Sequence, residues 1–228
     1  MPPRPKALIS WSSGKDSAFA LHEIRRTGEF DVVGALTTVT ETFERVSIHG
    51  VRQEILLAQL EAAGLPPRIV PIPYPCPNEI YEERMRDAIA RAHAEGFTHA
   101  AFGDLFLADI RKYREERLAG SGLTPIFPLF GADTAALAET MIASGLRSRI
   151  TCLNPKHLDR SFAGREFDAQ LLADLPAGVD RCAERGEFHT CAYAGPMFAN
   201  PIPIETGVVV ERDGFVFTDL TLGDNTPS

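Results

Sequence analysis

Between residues 7 and 129, short apolar or β-branched runs alternate with stretches whose apolar residues recur at helical spacing. That alternation constrains the fold more than any other feature of the chain. Strands are expected at Ala7 to Trp11, Asp31 to Val39, Arg68 to Tyr74, His99 to Leu105 and Pro125 to Leu129. Between them, Ala20, Leu21 and Ile24 share one helix face, which Gly28 ends; Val51, Ile55, Ala58 and Ala62 share another, closed by Gly64 and Pro66. Tyr81, Met85, Ala88, Ile89 and Ala92 form a third stripe inside 78–95, and 109–118 reads as a charged helix. Strands joined by helices of this length must run parallel, with helices on both faces of a Rossmann-like α/β sheet. Such sheets bind ligands beyond the C-terminal ends of their strands, so the loops after Trp11, Val39 and Leu105 are expected to converge on one site.

The rest of the chain breaks the pattern. Helices are expected at 134–144 and 165–175 and a strand at 149–153, and the runs 207–212 and 215–222 flank Asp213-Gly214, a hairpin turn signal. Residues 1–130 therefore read as a nucleotide domain and 131–228 as a smaller α+β substrate subdomain.

The loop Ser12-Ser13-Gly14-Lys15-Asp16-Ser17 lies where the first strand hands over to the first helix. Backbone N–H groups at a helix start lack partners and carry the positive end of the dipole. Small residues let a phosphate approach them, hydroxyls at Ser12, Ser13 and Ser17 add donors, and Lys15 adds charge. One helix end contributes only about 0.3–1 kcal/mol, so several aligned donors must share the work. The loop is not a Walker A motif, because Asp16 follows Gly14-Lys15 where Ser or Thr is required.

Two further segments carry candidate chemistry. Gly103-Asp104 ends the fourth strand, where Asp104, with Asp16, can hold Mg²⁺ directly or through water. Arg111, Lys112 and Arg114 follow; Arg111 is a candidate phosphate contact, while Lys112 suits a solvated i,i+4 pair with Glu116. In Gly186-Glu187-Phe188-His189-Thr190, Glu187 and His189 are two apart, so on a strand they point to one side. Such a pair can bind a metal, position ammonia or move a proton. Thr37, late in the second strand, joins Gly103 as a candidate nucleotide contact.

The phosphate loop resembles the SGGxDS loop of the N-type ATP pyrophosphatases, the adenine nucleotide α-hydrolase-like proteins with HUP-type folds. Taken with Gly103-Asp104, Arg111-Lys112-Tyr113-Arg114, Gly186 to Thr190 and Gly195-Pro196, the chain resembles the diphthine–ammonia ligase family, also called ATP-binding domain 4 proteins. The resemblance implies ATP with Mg²⁺, cleavage between the α and β phosphates, and adenylation of a carboxylate for attack by ammonia. It places ATP and metal on Ser12 to Ser17 and Asp104, with Glu187 and His189 orienting acceptor or ammonia. The family usually has glycine where Ser13 stands, and Cys-Gly-Glu where this chain has Cys182-Ala183-Glu184. The loop is expected to keep its shape provided Ser13 does not need a positive φ.

Composition narrows the partners. With 23 basic and 31 acidic side chains the net charge is −8, which disfavours a nucleic-acid partner. Cys76, Cys152, Cys182 and Cys191 contain no CxxC spacing, against zinc knuckles and thiolation chemistry. No run approaches the roughly 20 apolar residues of a membrane helix, and the N-terminal run is too short for a signal segment, so a cytoplasmic protein is expected. The length leaves no room for a glutaminase domain, so free ammonia is the expected nitrogen donor, with a carboxylate-bearing small molecule or protein side chain as acceptor. A homodimer is compatible with these readings. The rival readings are another adenylating enzyme, acting on RNA or a small molecule, and a signalling module that binds ATP without turnover.

Overall fold

The computed structural model describes residues 3–223. The chain runs β1 (Lys6–Ser10), α1 (Lys15–Thr27), β2 (Asp31–Thr40), β3 (Arg45–Val46), α2 (Gln53–Ala63), β4 (Pro67–Ile72), α3 (Asn78–Ala94), β5 (His99–Ala101), α4 (Ala108–Leu118) and β6 (Thr124–Ile126). There follow α5 (Thr134–Ala143), β7 (Arg147–Leu153), a 3-10 turn (Arg160–Phe162), α6 (Ala169–Asp174), β8 (Phe188–Ala194), β9 (Ile204–Arg212) and β10 (Phe215–Leu222).

Both β1 and β4 pair parallel with β2 at Ala35 and Leu36, so they flank it on opposite sides; β5 and then β6 extend the sheet beyond β1. The parallel order is therefore β4-β2-β1-β5-β6, and the side on which successive strands are added switches between β1 and β5. Alternation along β1 shows how the two faces are covered. Ala7 and Ile9 join a cluster with Leu21, Ile24, Ile55 and Leu60 of α1 and α2, whereas Leu8 joins Ala92, Phe97 and Leu118 on the side of α3 and α4. The expected Rossmann-like sheet with helices on both faces is the one observed.

A second sheet, β8-β7-β10-β9, is antiparallel throughout. Its β9–β10 turn has positive φ at Asp213 (53°) and Gly214 (80°), as the hairpin signal requires. Buried residues of this sheet, among them Ile150, Phe188 and Cys191, belong to the same core cluster as Ile9 of β1 and Trp11 just after it. The two sheets meet through the helices of that layer, β8 against α1 and β10 against α2. Among the described residues no helix is long and apolar enough to cross a membrane.

Three elements are shorter than expected. β5 stops at Ala101 rather than Leu105, since a Cβ on Gly103 would lie 2.8 Å from the Asp16 carbonyl carbon. The chain there passes against the start of α1 and cannot hold a regular strand. β6 ends at Ile126, and the helix expected at 165–175 covers only Ala169–Asp174, capped by the Asp168 carboxylate on the Leu171 N–H at 2.7 Å.

Candidate nucleotide and acceptor site

A cleft of about 510 Å³ opens over the C-terminal ends of β1, β2 and β5 and is closed from the other side by β8 and the loop before it. It lies at the reversal of strand order, where an open α/β sheet places ligands.

Ser12, Lys15, Asp16 and Ser17 line the cleft. Gly14 is the N-cap of α1 and has no side chain with which to cap it. The Ser12 and Ser17 hydroxyls are 3.2 Å apart, and Ser17 Oγ donates to the Gly14 carbonyl at 3.0 Å. Lys15 is oriented otherwise than a phosphate-reaching lysine. Its ammonium is 2 % exposed, sits 2.9 Å from Asp16 Oδ2 and donates to the Cys182 carbonyl. Burial disfavours that ammonium, but Asp16, with help from Cys182 and Glu184, offsets it and holds the Lys15 pKa above its ordinary value. The pair therefore ties the phosphate loop to the C-terminal part of the chain, and Lys15 offers the cleft little free charge.

Ser13 departs from expectation. It has φ 68°, in the left-handed region, and its fully buried Oγ has no partner among the described residues. A positive φ is therefore required where the family usually has glycine, and serine bears it. Ala183, at the other departure, likewise sits at φ 59°. At each position the backbone shape outlasts the loss of glycine, at a cost of about 1–2 kcal/mol.

Carboxylates gather on the opposite wall. Asp104 is 18 % exposed and 3.4 Å from Arg114 Nε; burial raises its pKa, and Arg114 partly offsets this. Glu184 accepts hydrogen bonds from the Leu105 N–H (2.7 Å) and Phe106 N–H. Burial pushes its pKa up, the Leu105 hydrogen bond opposes, and Asp16 and Asp104 add repulsion. Sequence reasoning passed over Glu184 as a site residue, although it lies three residues before Glu187.

Glu187 and His189 do not share a surface. Glu187 precedes β8, is 2 % exposed, and accepts from the Asp180 and Arg185 N–H groups, each at 3.0 Å. It staples the 180–187 loop and lies outside the cleft lining. The period-two argument fails because β8 begins at Phe188. His189 does line the cleft, with its ring 4.6 Å from that of His49. His49, also missed in the sequence, is set down there by the β2–β3 hairpin. Its Nδ1 is 3.1 Å from the Thr190 carbonyl, which can only accept, so Nδ1 carries the proton and Nε2 is left as an acceptor. Burial lowers the His49 pKa to about 4; burial, then His49, then Lys15 hold His189 well below its usual value.

Among the other candidates, Gly103 lines the cleft. Thr37 does not: it is buried and its hydroxyl is unpaired among the described residues, while neighbouring Thr38 faces the cleft. Arg111 lies outside, its guanidinium 5.0 Å from the Phe127 ring centroid and paired with Glu115. Lys112 pairs with Glu116 at 3.8 Å. All four cysteines are free, and burial raises the Cys182 and Cys191 thiols to about 12, which keeps them protonated at neutral pH.

The imidazole pair has a pH signature. Both folded-state values lie below the unfolded one, so between about pH 6.5 and pH 4 the unfolded chain binds more protons and stability falls as pH falls. The slope approaches about 1.4 kcal/mol per pH unit for each fully shifted imidazole. The raised carboxylates act in the opposite sense but are common to wild type and variant. From pH 7 to pH 5 the melting temperature of wild type is therefore expected to fall further than that of a His49→Asn/His189→Asn double variant. Parallel melting curves would refute the burial of these rings as neutral species.

Residues 133–217 match the family model of the diphthamide synthase C-terminal domain, and over these residues the resemblance seen in the sequence is borne out. No curated protein matches the chain. Among solved structures, one similar to this chain is the U34-tRNA thiolase NcsA from Methanococcus maripaludis, solved with its 4Fe–4S cluster. It shows 18% identity and a TM-score of 0.38 over 61% of this chain and 56% of that one. This chain thus aligns with little more than half of that protein's length, too distant a likeness to inform the chemistry.

Proposed function

We propose that the protein is an ATP-dependent adenylating ligase, which transfers AMP to a carboxylate, releases pyrophosphate and lets ammonia displace AMP to form an amide. The observation that carries this reading is the start of α1. Its N-cap, Gly14, has no side chain; Thr190 Oγ1 takes the Lys15 N–H, and the turn lies beside the Ser12 and Ser17 hydroxyls in a cleft that also holds carboxylates and two imidazoles held neutral.

A carboxylate resists ammonia because oxide is a poor leaving group; an acyl-adenylate offers AMP instead. On this reading the α1 N-terminus and the Ser12 and Ser17 hydroxyls hold the departing pyrophosphate. Asp16, Asp104 and Glu184 fit Mg²⁺ in kind. They line one cleft, burial raises all three pKa values, and a cation would relieve that cost. Among the described residues no three metal-binding side chains converge on a point, which agrees with an ion held by one or two carboxylates plus substrate phosphates. When bound, Mg²⁺ would neutralise charge on the phosphates. His189, on β8, and His49 beside it are neutral and orient ammonia or the acceptor by hydrogen bonding, while the proton that ammonia loses as its nitrogen bonds to the acyl carbon passes to solvent. The partners of this reaction are ammonia and a carboxylate-bearing small molecule or protein side chain, met in the cytoplasm.

The test is product analysis with ATP, Mg²⁺, ammonium chloride and a panel of carboxylates, diphthine-bearing peptide included. AMP and pyrophosphate are expected; ADP and phosphate as the sole products would overturn the α-phosphate chemistry, and tight binding without turnover would favour an ATP-binding module. On an accepted carboxylate, His189→Asn is expected to slow amide formation by about 10²-fold while leaving ATP affinity near wild type. A loss of ATP affinity instead would remove His189 from the acceptor side.

A further inference from the structure

Gln59 is a polar residue that the reaction above leaves unused. It lies on α2, is fully buried, and joins the segment 11–13 to β8. Its Oε1 accepts from Trp11 Nε1 at 3.1 Å, and its Nε2 donates to the Ser13 carbonyl at 3.0 Å and the Ala192 carbonyl at 2.5 Å. Chemistry alone fixes the orientation of this amide. An indole N–H can only donate and the two carbonyls can only accept, so neither a flipped amide nor a carboxylate satisfies all three.

The Ser13 carbonyl also accepts from the Ala192 N–H at 2.9 Å, and Thr190 Oγ1 accepts from the Lys15 N–H at 3.1 Å. The residue held this way is the one at φ 68°, a conformation that serine adopts at a cost and glycine adopts freely. Its carbonyl is thus gripped from two sides, by α2 and by β8, the strand that carries His189.

We infer that Gln59 is a positioning residue. It keeps the phosphate loop in its nucleotide-receptive shape although serine occupies the left-handed position, and it binds that shape to the docking of β8. The inference rests on the reading of residues 12–17 as a phosphate loop. It explains how this chain dispenses with a glycine there: hydrogen bonds to the residue-13 carbonyl hold the left-handed turn that serine, unlike glycine, adopts only at a cost.

The experiment uses the full chain, with α,β-methylene-ATP and Mg²⁺ as the probe, followed by calorimetry, alongside thermal melts. Gln59→Met keeps the bulk and removes the amide. It is expected to weaken the probe by about tenfold or more, and adding Ser13→Gly is expected to restore affinity to within about threefold of wild type. Wild-type affinity in Gln59→Met, or weakening that Ser13→Gly does not relieve, overturns the inference, because a residue serving only the core would not be rescued by a glycine in the loop. If Gln59→Met does not fold alone, the double variant decides: folded and binding supports the inference, unfolded or non-binding overturns it. If wild type itself ignores the probe, the nucleotide reading fails separately. The melts then still test Gln59, whose replacement must cost less stability in the Ser13→Gly background than in wild type.

Discussion

Replacing Asp16 with Asn is expected to abolish AMP and pyrophosphate formation and to destabilise the protein by about 3 kcal/mol. Two separate roles lead to the two losses. Asp16 lines the cleft beside the Ser12 and Ser17 hydroxyls, and it is also the partner of Lys15, whose side chain is 2 % exposed. Asn keeps an acceptor oxygen but no charge, so the ammonium is left with neutral partners, the Asn amide and the Cys182 carbonyl. Removing one member of a buried pair costs about 3–5 kcal/mol, and the lower end applies because Asp16 itself is 28 % exposed. For a chain of this size the melting temperature should fall by roughly 6–12 °C. Adding Lys15→Met removes the stranded charge, so the double variant should recover most of the stability and none of the activity. A single variant that melts with wild type would show that Lys15 is not held by this pair.

Glu187→Ala is expected to be as damaging, for a reason unrelated to chemistry. Its carboxylate satisfies two backbone N–H groups, at Asp180 and Arg185, inside the protein. Each donor left unpaired costs about 1–3 kcal/mol, giving roughly 3 kcal/mol in all. The same loop carries Glu184 into the cleft, so activity should be lost in step with unfolding and persist at temperatures well below the melting point. Unchanged melting with turnover gone would return Glu187 to the catalytic set.

These two residues mark how far the sequence could be read. The parallel sheet was legible because each strand and helix announces itself over many residues by period and by end signals such as Gly28 and Gly64. The strand-to-helix turn at 12–17 was legible because strand, small residues and helix are contiguous. Glu187 and His189 were legible as a pair of letters, but their partition depended on where β8 begins, and one residue decides which way a side chain points. His49 left no local signal: it becomes part of the site only because the β2–β3 hairpin lays it on Gly14, where a Cβ would come within 2.7 Å of its ring. Lys15 reads as a phosphate ligand in any one-dimensional motif, yet its ammonium is held by Asp16 and the carbonyl of Cys182.

The sequence by itself therefore determined the sheet, its helical layers and the place of the turn between β1 and α1, all set by local periodicity and chain connectivity. Only the tertiary structure decided what Ser13 costs and what holds it, which of Glu184 and Glu187 faces the cleft, and that a second histidine stands beside His189. Those outcomes arise where β8 meets the start of α1, between residues some 130 to 175 positions apart whose contacts no local pattern encodes.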